Sequence, residues 1–277
     1  MMFRLNFVFK AIGDQVCTTA IPENLFKATG KKCIITDKSI WPFQYNPYVD
    51  HINVSELPKE TLDITLLPDS RDSAQVKHYQ TTTGCVTVGS QTEYMLAQLG
   101  IDQPELRHPR LYIYEDLDIV PHRVVVNTTG SDRTLVGEPA IRYYAGEDSV
   151  RVMSDDVINS ILKNYRDYEI VQIGAITDKP IDGKVKDLRG QLDYWGSARE
   201  IAQSAIFIGV NSGPMHFANC YPRTVKKIVL QEFPAESLRT WRPGDIRNFL
   251  FLWIDPSSTM YNKFDFDVGP TYAHTKI

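Results

Sequence analysis

Twice along this chain an apolar run gives way to a helical pattern, and between the two series the pattern breaks off and starts afresh. In the first series, RLNFVF (4–9) and KCIITD (32–37) have the character of buried strands. The stretch between them carries Val16, Ala20, Leu25 and Ala28 at helical spacing and closes on Gly30. Pro22 must break or kink that stretch, so a loop followed by a short helix is expected there. DHINV (50–54) and DITLL (63–67) read as two more strands, and SQTEYMLAQLG (90–100) as a helix ending on glycine. Alternation of this kind calls for parallel strands joined by crossover helices, which is an α/β fold.

The break is QPELRHPRLYIYEDLDIVPH (103–122), with three prolines and little periodicity. It reads as a linker. RVVVNTTG (123–130) then opens a second series. SDDVINSILKNY (154–165) is an amphipathic helix: Ser154 can cap it, Asp155 and Asp156 suit its positive start, and Val157, Ile158, Ile161, Leu162 and Tyr165 share a face. EIVQIG (169–174) is a strand, YWGSAREIAQSA (194–205) a helix, IFIGV (206–210) a strand, PMHFANCY (214–221) a helix and VKKIVL (225–230) a strand. Two domains follow, residues 1–118 and 119–277, each opening on a strand. The tail from 256 is expected either to pack as a loop across a domain, reaching back to the N-terminal one, or to be partly disordered.

Composition excludes some partners. With 277 residues and a net charge of −4, the chain has ample core and no strongly basic footprint, so duplex nucleic acid is not implied. The cysteines at 17, 33, 85 and 220 form no C-x-x-C pair and no zinc-ligand spacing, and read as buried thiols in a reducing compartment. The start of the chain is too short and polar for a signal peptide, and FLFLWI (249–254) is far below spanning length. A cytoplasmic protein without a transmembrane segment is expected.

One turn points to chemistry. FIGVNSGPMHFANC (207–220) leaves an apolar run through Asn211, Ser212, Gly213 and Pro214 and resumes with Met215 and His216. Gly213 allows a tight turn and close approach of a ligand. Pro214 suits the first position of a helix. Met215 and His216 would present N–H groups at the positive helix end, Ser212 a hydroxyl and His216 a ring donor, a combination suited to phosphate. The same residues also suit a plain βα turn with a capped helix. The serine stands one place too late for the nucleophile elbow of a hydrolase.

LRGQLDYWGSAREIAQSAIFIGVNSGPMHFAN (188–219) resembles the C-terminal signature of the ADP-heptose:lipopolysaccharide heptosyltransferases, glycosyltransferase family 9. GDQVCTTAIPENLFKATG (13–30) is similar to the family's opening Gly-Asp loop and Pro-containing helix. NPYVDHINV (46–54) matches its Pro-Tyr-hydrophobic-Asp element, and NTTGSDR (127–133) its Thr-Thr and basic-residue loop.

The resemblance implies a GT-B fold, with two Rossmann-like domains facing across a cleft. The C-terminal one would hold a nucleotide-diphosphate sugar and the N-terminal one the acceptor. It implies an inverting, metal-independent glycosyltransferase that needs no cofactor beyond its donor substrate. Asp14 falls on the proposed general base, beside Gly13 on the acceptor side; its second reading is a simple helix cap. Thr128, Thr129 and Arg133 fall on the donor-phosphate loop, where the family often has lysine; Arg133 also reads as a solvated cation. Asp178 falls on the carboxylate for the nucleotide ribose. Asn211, Ser212, Gly213, Met215 and His216 complete the donor site, with Asn211 in place of the aspartate common in the family. A GT-B nucleotide-sugar epimerase and a non-catalytic nucleotide-sugar-binding protein are the alternatives. The acceptor could be a glycan, protein, lipid or modified nucleic acid base. SIWPFQYNPY (39–48) reads first as a packed loop and second as a stacking surface for a sugar or base.

Overall fold

The structure, a computed structural model, describes residues 2–7, 12–36, 41–52, 61–66, 99–101, 106, 109–130, 152–210, 212–221, 223–231 and 249–254. In the N-terminal half these form β1 (Met2–Phe7), α1 (Ile12–Cys17), α2 (Ile21–Thr29), β2 (Cys33–Thr36), β3 (Val49–Ile52) and β4 (Thr61–Leu66), with a 3₁₀ turn over Thr18–Ala20 between the helices. The C-terminal half contains β5 (Val120–Asn127), α3 (Asp155–Asn164), β6 (Glu169–Gln172), β7 (Lys186–Asp187), α4 (Tyr194–Ala202), β8 (Ser204–Val210), α5 (Gly213–Asn219), β9 (Val225–Gln231) and β10 (Phe249–Ile254).

Each half has its own parallel sheet. The first runs β3-β2-β1-β4 and the second β10-β9-β8-β5-β6-β7. The fold class is therefore the α/β arrangement expected, with β5 beginning three residues inside the stretch read as linker. In both sheets the strand order reverses beside the opening strand: between β1 and β4, and between β5 and β8. Such reversals leave a crevice at the carboxyl ends of the strands, where ligands of open α/β sheets bind.

Pro22 does not interrupt the first helical stretch. It sits in the first turn of α2, where a missing N–H costs nothing, and the 3₁₀ turn joins α2 to α1. Gly30 ends α2 at φ 70°, with its N–H donating to the Phe26 carbonyl over 2.7 Å. Ser154 caps α3 as expected, its Oγ accepting from Val157 N–H. Asp193 caps α4 by accepting from Gly196 N–H at 2.7 Å. FLFLWI, singled out only as too short to span a membrane, is the edge strand β10, paired in parallel with β9. The helix expected over 90–100 and the tail from 256 lie outside the described residues, apart from the closing Leu99–Gly100 turn.

The central strands β5, β6 and β8 end in runs that are buried without alternation, because both faces are covered there. Val124 and Val126 point to α3, against Val157, Ile158 and Ile161. Val125 and Phe207 point the other way, against Ala198 and Ile201 of α4 and Met215 and Ala218 of α5. Val16 of α1 and Leu111 of the connecting segment are buried in that same cluster. A buried valine contributes roughly 1.5–3 kcal/mol, so α1 ties the first half to the core of the second. No helix among the described residues is long and apolar enough to cross a membrane.

Candidate functional site

β1, β5 and β8 are followed at their carboxyl ends by the segments singled out in the sequence. Ser212 is the N-cap residue of α5, with extended backbone, and Pro214 lies in the first turn. The Ser212 hydroxyl does not cap the helix. It donates to Asn127 Oδ1 at 2.7 Å, and less closely to the Val210 carbonyl at 3.1 Å. Asn127 ends β5, so this bond spans the point where strand order reverses. Asn127 in turn donates through Nδ2 to Asp178 Oδ2 at 3.3 Å.

Asp178 stands at the edge of the same group. Its Oδ2 also accepts from Ala175 N–H at 3.1 Å, and its carbonyl accepts from Arg189, which is held by Asp187. Burial pushes the Asp178 carboxyl up to about 6, against the lowering effects of the Ala175 N–H, the Arg189 charge and Asn127. Gly174, at φ 134°, leaves room for that carboxylate; a Cβ there would collide with Asp178 Oδ2.

Thr128 and Thr129 turn their hydroxyls into the protein. Thr128 Oγ1 donates to the Lys179 carbonyl at 2.6 Å and accepts from Gln172 Nε2 at 3.1 Å. Thr129 Oγ1 accepts from Lys179 N–H at 2.9 Å. Gln172, fully buried, also donates to the Lys179 carbonyl and accepts from Ile181 N–H. These bonds fasten the 178–181 segment across the ends of β5 and β6.

His216 is 3% exposed and lies at the junction of the halves. Its Nδ1 is 3.0 Å from the Cys17 Sγ of α1. Gly13 lies against the other side of the ring, and Gly213 against Ile12. Met215 N–H, expected to be open to a ligand, donates to the Ser212 carbonyl at 3.2 Å, because the turn closes on itself. Asn211, Arg133 and the side chain of Asp14 lie outside the described residues; the backbone of Asp14 is in α1. The aromatic stretch packs across the junction as its first reading expected: Trp41 has ring centroids 4.9 Å from Tyr194, 5.2 Å from Trp195 and 5.4 Å from Phe217. Trp195 Nε1 donates to Gln44 at 3.2 Å.

Thus Asp178, Ser212, Thr128 and Thr129 share one polar group, and Gly13, Gly213 and His216 share one contact between halves. Asn127, Gln172, Arg189 and Cys17 escaped the sequence reading. The polar residues closing the apolar runs RVVVN and EIVQ were the available signal for the first two. Cys17 offered none. No group of three His, Cys, Asp or Glu side chains able to hold a metal ion occurs among the described residues.

Two parallel α/β halves whose strand ends meet through α1 and α5 define the GT-B type of glycosyltransferase architecture. No protein-family model matches the chain, and no curated protein does. Among solved structures, it is similar to the glycosyl transferase family 9 protein of Veillonella parvula DSM 2008, with 14% identity and a TM-score of 0.60 over 91% of this chain and 86% of that one. It is similar to the E. coli heptosyltransferase WaaC with ADP, with 11% identity and a TM-score of 0.53 over 91% and 93%. TibC, an iron-containing dodecameric glycosyltransferase of enterotoxigenic E. coli H10407, matches at 14% identity and a TM-score of 0.56 over 82% of this chain, which spans 57% of that protein's length. At these identities the likeness is one of fold.

Proposed function

We propose that the chain is a glycosyltransferase acting in the cytoplasm on a nucleotide-diphosphate sugar, inverting the anomeric centre without a metal ion. The observation that carries this reading is the Ser212–Asn127–Asp178 chain of hydrogen bonds at the strand-order reversal of the second sheet. That is where a nucleotide sits in open α/β folds. The structures of like fold include one described with ADP.

In this reading Asp178 accepts from the nucleotide ribose. Ser212, Gly213 and His216 face the diphosphate, with Met215 beneath them, its N–H held by the Ser212 carbonyl, Arg133 supplying charge to the leaving group and Asn211 a contact to the sugar. Thr128 and Thr129 shape the floor beneath the phosphates, since their hydroxyls fasten Lys179. Asp14, next to Gly13 on α1, takes the acceptor proton. The acceptor oxygen forms its bond to the anomeric carbon from the face opposite the diphosphate. The bond from that carbon to the diphosphate oxygen breaks, and the nucleoside diphosphate leaves with the electron pair.

The test is titration calorimetry of the whole chain with ADP, UDP, GDP and their sugar conjugates. Micromolar binding of at least one nucleoside diphosphate is expected. Failure of all of them to bind at millimolar concentration would overturn the reading.

A further inference from the structure

The aromatic rings at the junction have no part in the scheme above. Trp41, Gln44 and Tyr45 belong to the first half and follow the carboxyl end of β2. Tyr194 and Trp195 open the first turn of α4 in the second half. Because α4 joins the parallel strands β7 and β8, its first turn lies at the carboxyl ends of its own sheet. The group therefore stands at the strand ends of both halves, the side on which ligands of open α/β sheets bind.

Its outer rings are not buried by the packing. Trp41 forms the half-buried base and touches Phe217, the residue that follows His216 in α5. Tyr45 and Tyr194 remain 43% and 51% exposed, although rings that serve only as core turn inward. Trp41 Nε1 is buried without a hydrogen-bond partner. A phenylalanine would pack there without that cost, so packing alone does not account for the indole. The polar part of the group has a fixed orientation. Gln44 Oε1 accepts from Trp195 Nε1, and Tyr45 stands edge-on to the Trp195 ring at 5.0 Å between centroids. With its oxygen held, the Gln44 amide has its NH₂ turned from the indole, with no acceptor among the described residues.

Exposed aromatic faces beside an oriented amide donor, with no charge on any of the five side chains, match the chemistry of a neutral sugar. The C–H face of the sugar lies on a ring, and its hydroxyls take the polar contact. A phosphate or carboxylate would find no counter-charge on these side chains.

We propose that Trp41, Gln44, Tyr45, Tyr194 and Trp195 form a stacking subsite for an uncharged sugar ring of the acceptor, which is thus a glycan. The assignment to the acceptor rests on the transferase reading above. The proposed donor residues all belong to the second half, whereas this subsite draws three side chains from the half that carries Asp14. A nucleobase has a flat face too, and the test separates it from a sugar.

Saturation-transfer difference NMR of the full chain is the measurement, with millimolar methyl β-D-glucopyranoside, methyl β-D-galactopyranoside and methyl α-D-mannopyranoside as probes. Saturation of the ring C–H protons of at least one glycoside is expected. Its absence, with and without a nucleoside diphosphate present, would overturn the proposal. Tyr45→Ala combined with Tyr194→Ala should weaken glycoside binding about tenfold or more. Tyr45→Phe with Tyr194→Phe, which keeps both rings, should stay within about threefold of wild type. Thermal melts establish that both variants fold. Undiminished glycoside binding in the alanine variant would overturn the subsite. Its nucleoside diphosphate affinity should stay within about threefold of wild type. A loss there as large as that for the glycoside would give the rings to the donor's base and overturn the acceptor assignment. If the wild type bound no nucleotide, the transferase reading would fall while the glycoside titrations still decided whether these rings hold a sugar.

Discussion

Gly13 and His216, some two hundred positions apart in the chain, are in contact: a Cβ on the glycine would lie 2.6 Å from the imidazole Cδ2. Gly213 stands in the same relation to Ile12, where a Cβ would collide with Cγ2. The two halves therefore approach through a glycine on each side. Gly13→Ala must move either the His216 ring or α1. We expect it to destabilise the protein by about 1–3 kcal/mol, the usual cost of overpacking a buried contact. Chemical denaturation of Gly13→Ala beside wild type checks this, and equal midpoints would show that the contact is slack.

Asp14→Asn is expected to lower sugar transfer by about 10²–10⁴-fold, the usual contribution of a general base. Nucleotide affinity should change less than about threefold, because the proposed donor residues belong to the other half. Steady-state transfer, or donor hydrolysis as a weaker substitute, gives the first quantity and calorimetry the second. Near wild-type turnover would place the base elsewhere and leave Asp14 a helix residue only.

Ser212→Ala tests the donor site better than a double change with His216 would. His216 is buried against Cys17, so its removal costs packing as well as binding. Ser212→Ala removes a hydroxyl from Asn127 and should cost about 1 kcal/mol of stability. Nucleoside diphosphate affinity should fall by about tenfold or more. Unchanged affinity by calorimetry would remove Ser212 from the site.

Asp178 carries a pH signature. Its folded-state pKa is raised from 3.8 to about 6, so between those values the native protein binds the proton more tightly than the unfolded chain. Its contribution to stability therefore grows as pH falls through 6 and levels off below the unfolded value. Asp178→Asn removes this dependence. The variant should be more stable than wild type above pH 6 by on the order of 1–2 kcal/mol, discounted for the partial exposure of the group. The difference should vanish near pH 4. Thermal melts of both proteins across that range give the difference directly, and a constant offset would contradict the shift.

A chelator should leave both nucleotide binding and transfer unchanged, since the proposed leaving-group stabilisation comes from side chains and backbone. The purified chain should also carry no stoichiometric iron by elemental analysis. Loss of activity on chelation, restored by a metal, would contradict the metal-independent scheme.

The α/β class was legible because apolar runs and helical spacing are local, and each described strand except β7 and β10 was read within a few residues. Pro22 misled because the rule against proline applies to helix interiors, and only the observed start of α2 places it in a first turn. The turn after β8 was legible as well, through its run of small and polar residues. Its internal bonding was not. The sequence does not reveal that Ser212 would donate to Asn127, or that the Thr128 and Thr129 hydroxyls would point to Lys179. Those choices depend on which strands become neighbours. Strand order put β5 between β6 and β8 and so gathered Asn127, Gln172, Asp178 and Ser212 at one edge. The meeting of Cys17 with His216 lay still further from view. A cysteine in an apolar helix reads as core, and only the docking of α1 onto α5 turns it into the partner of an imidazole. Local chemistry writes the elements into the sequence. Contacts across long separations are set by how whole faces bury one another, and no short stretch of residues carries that information.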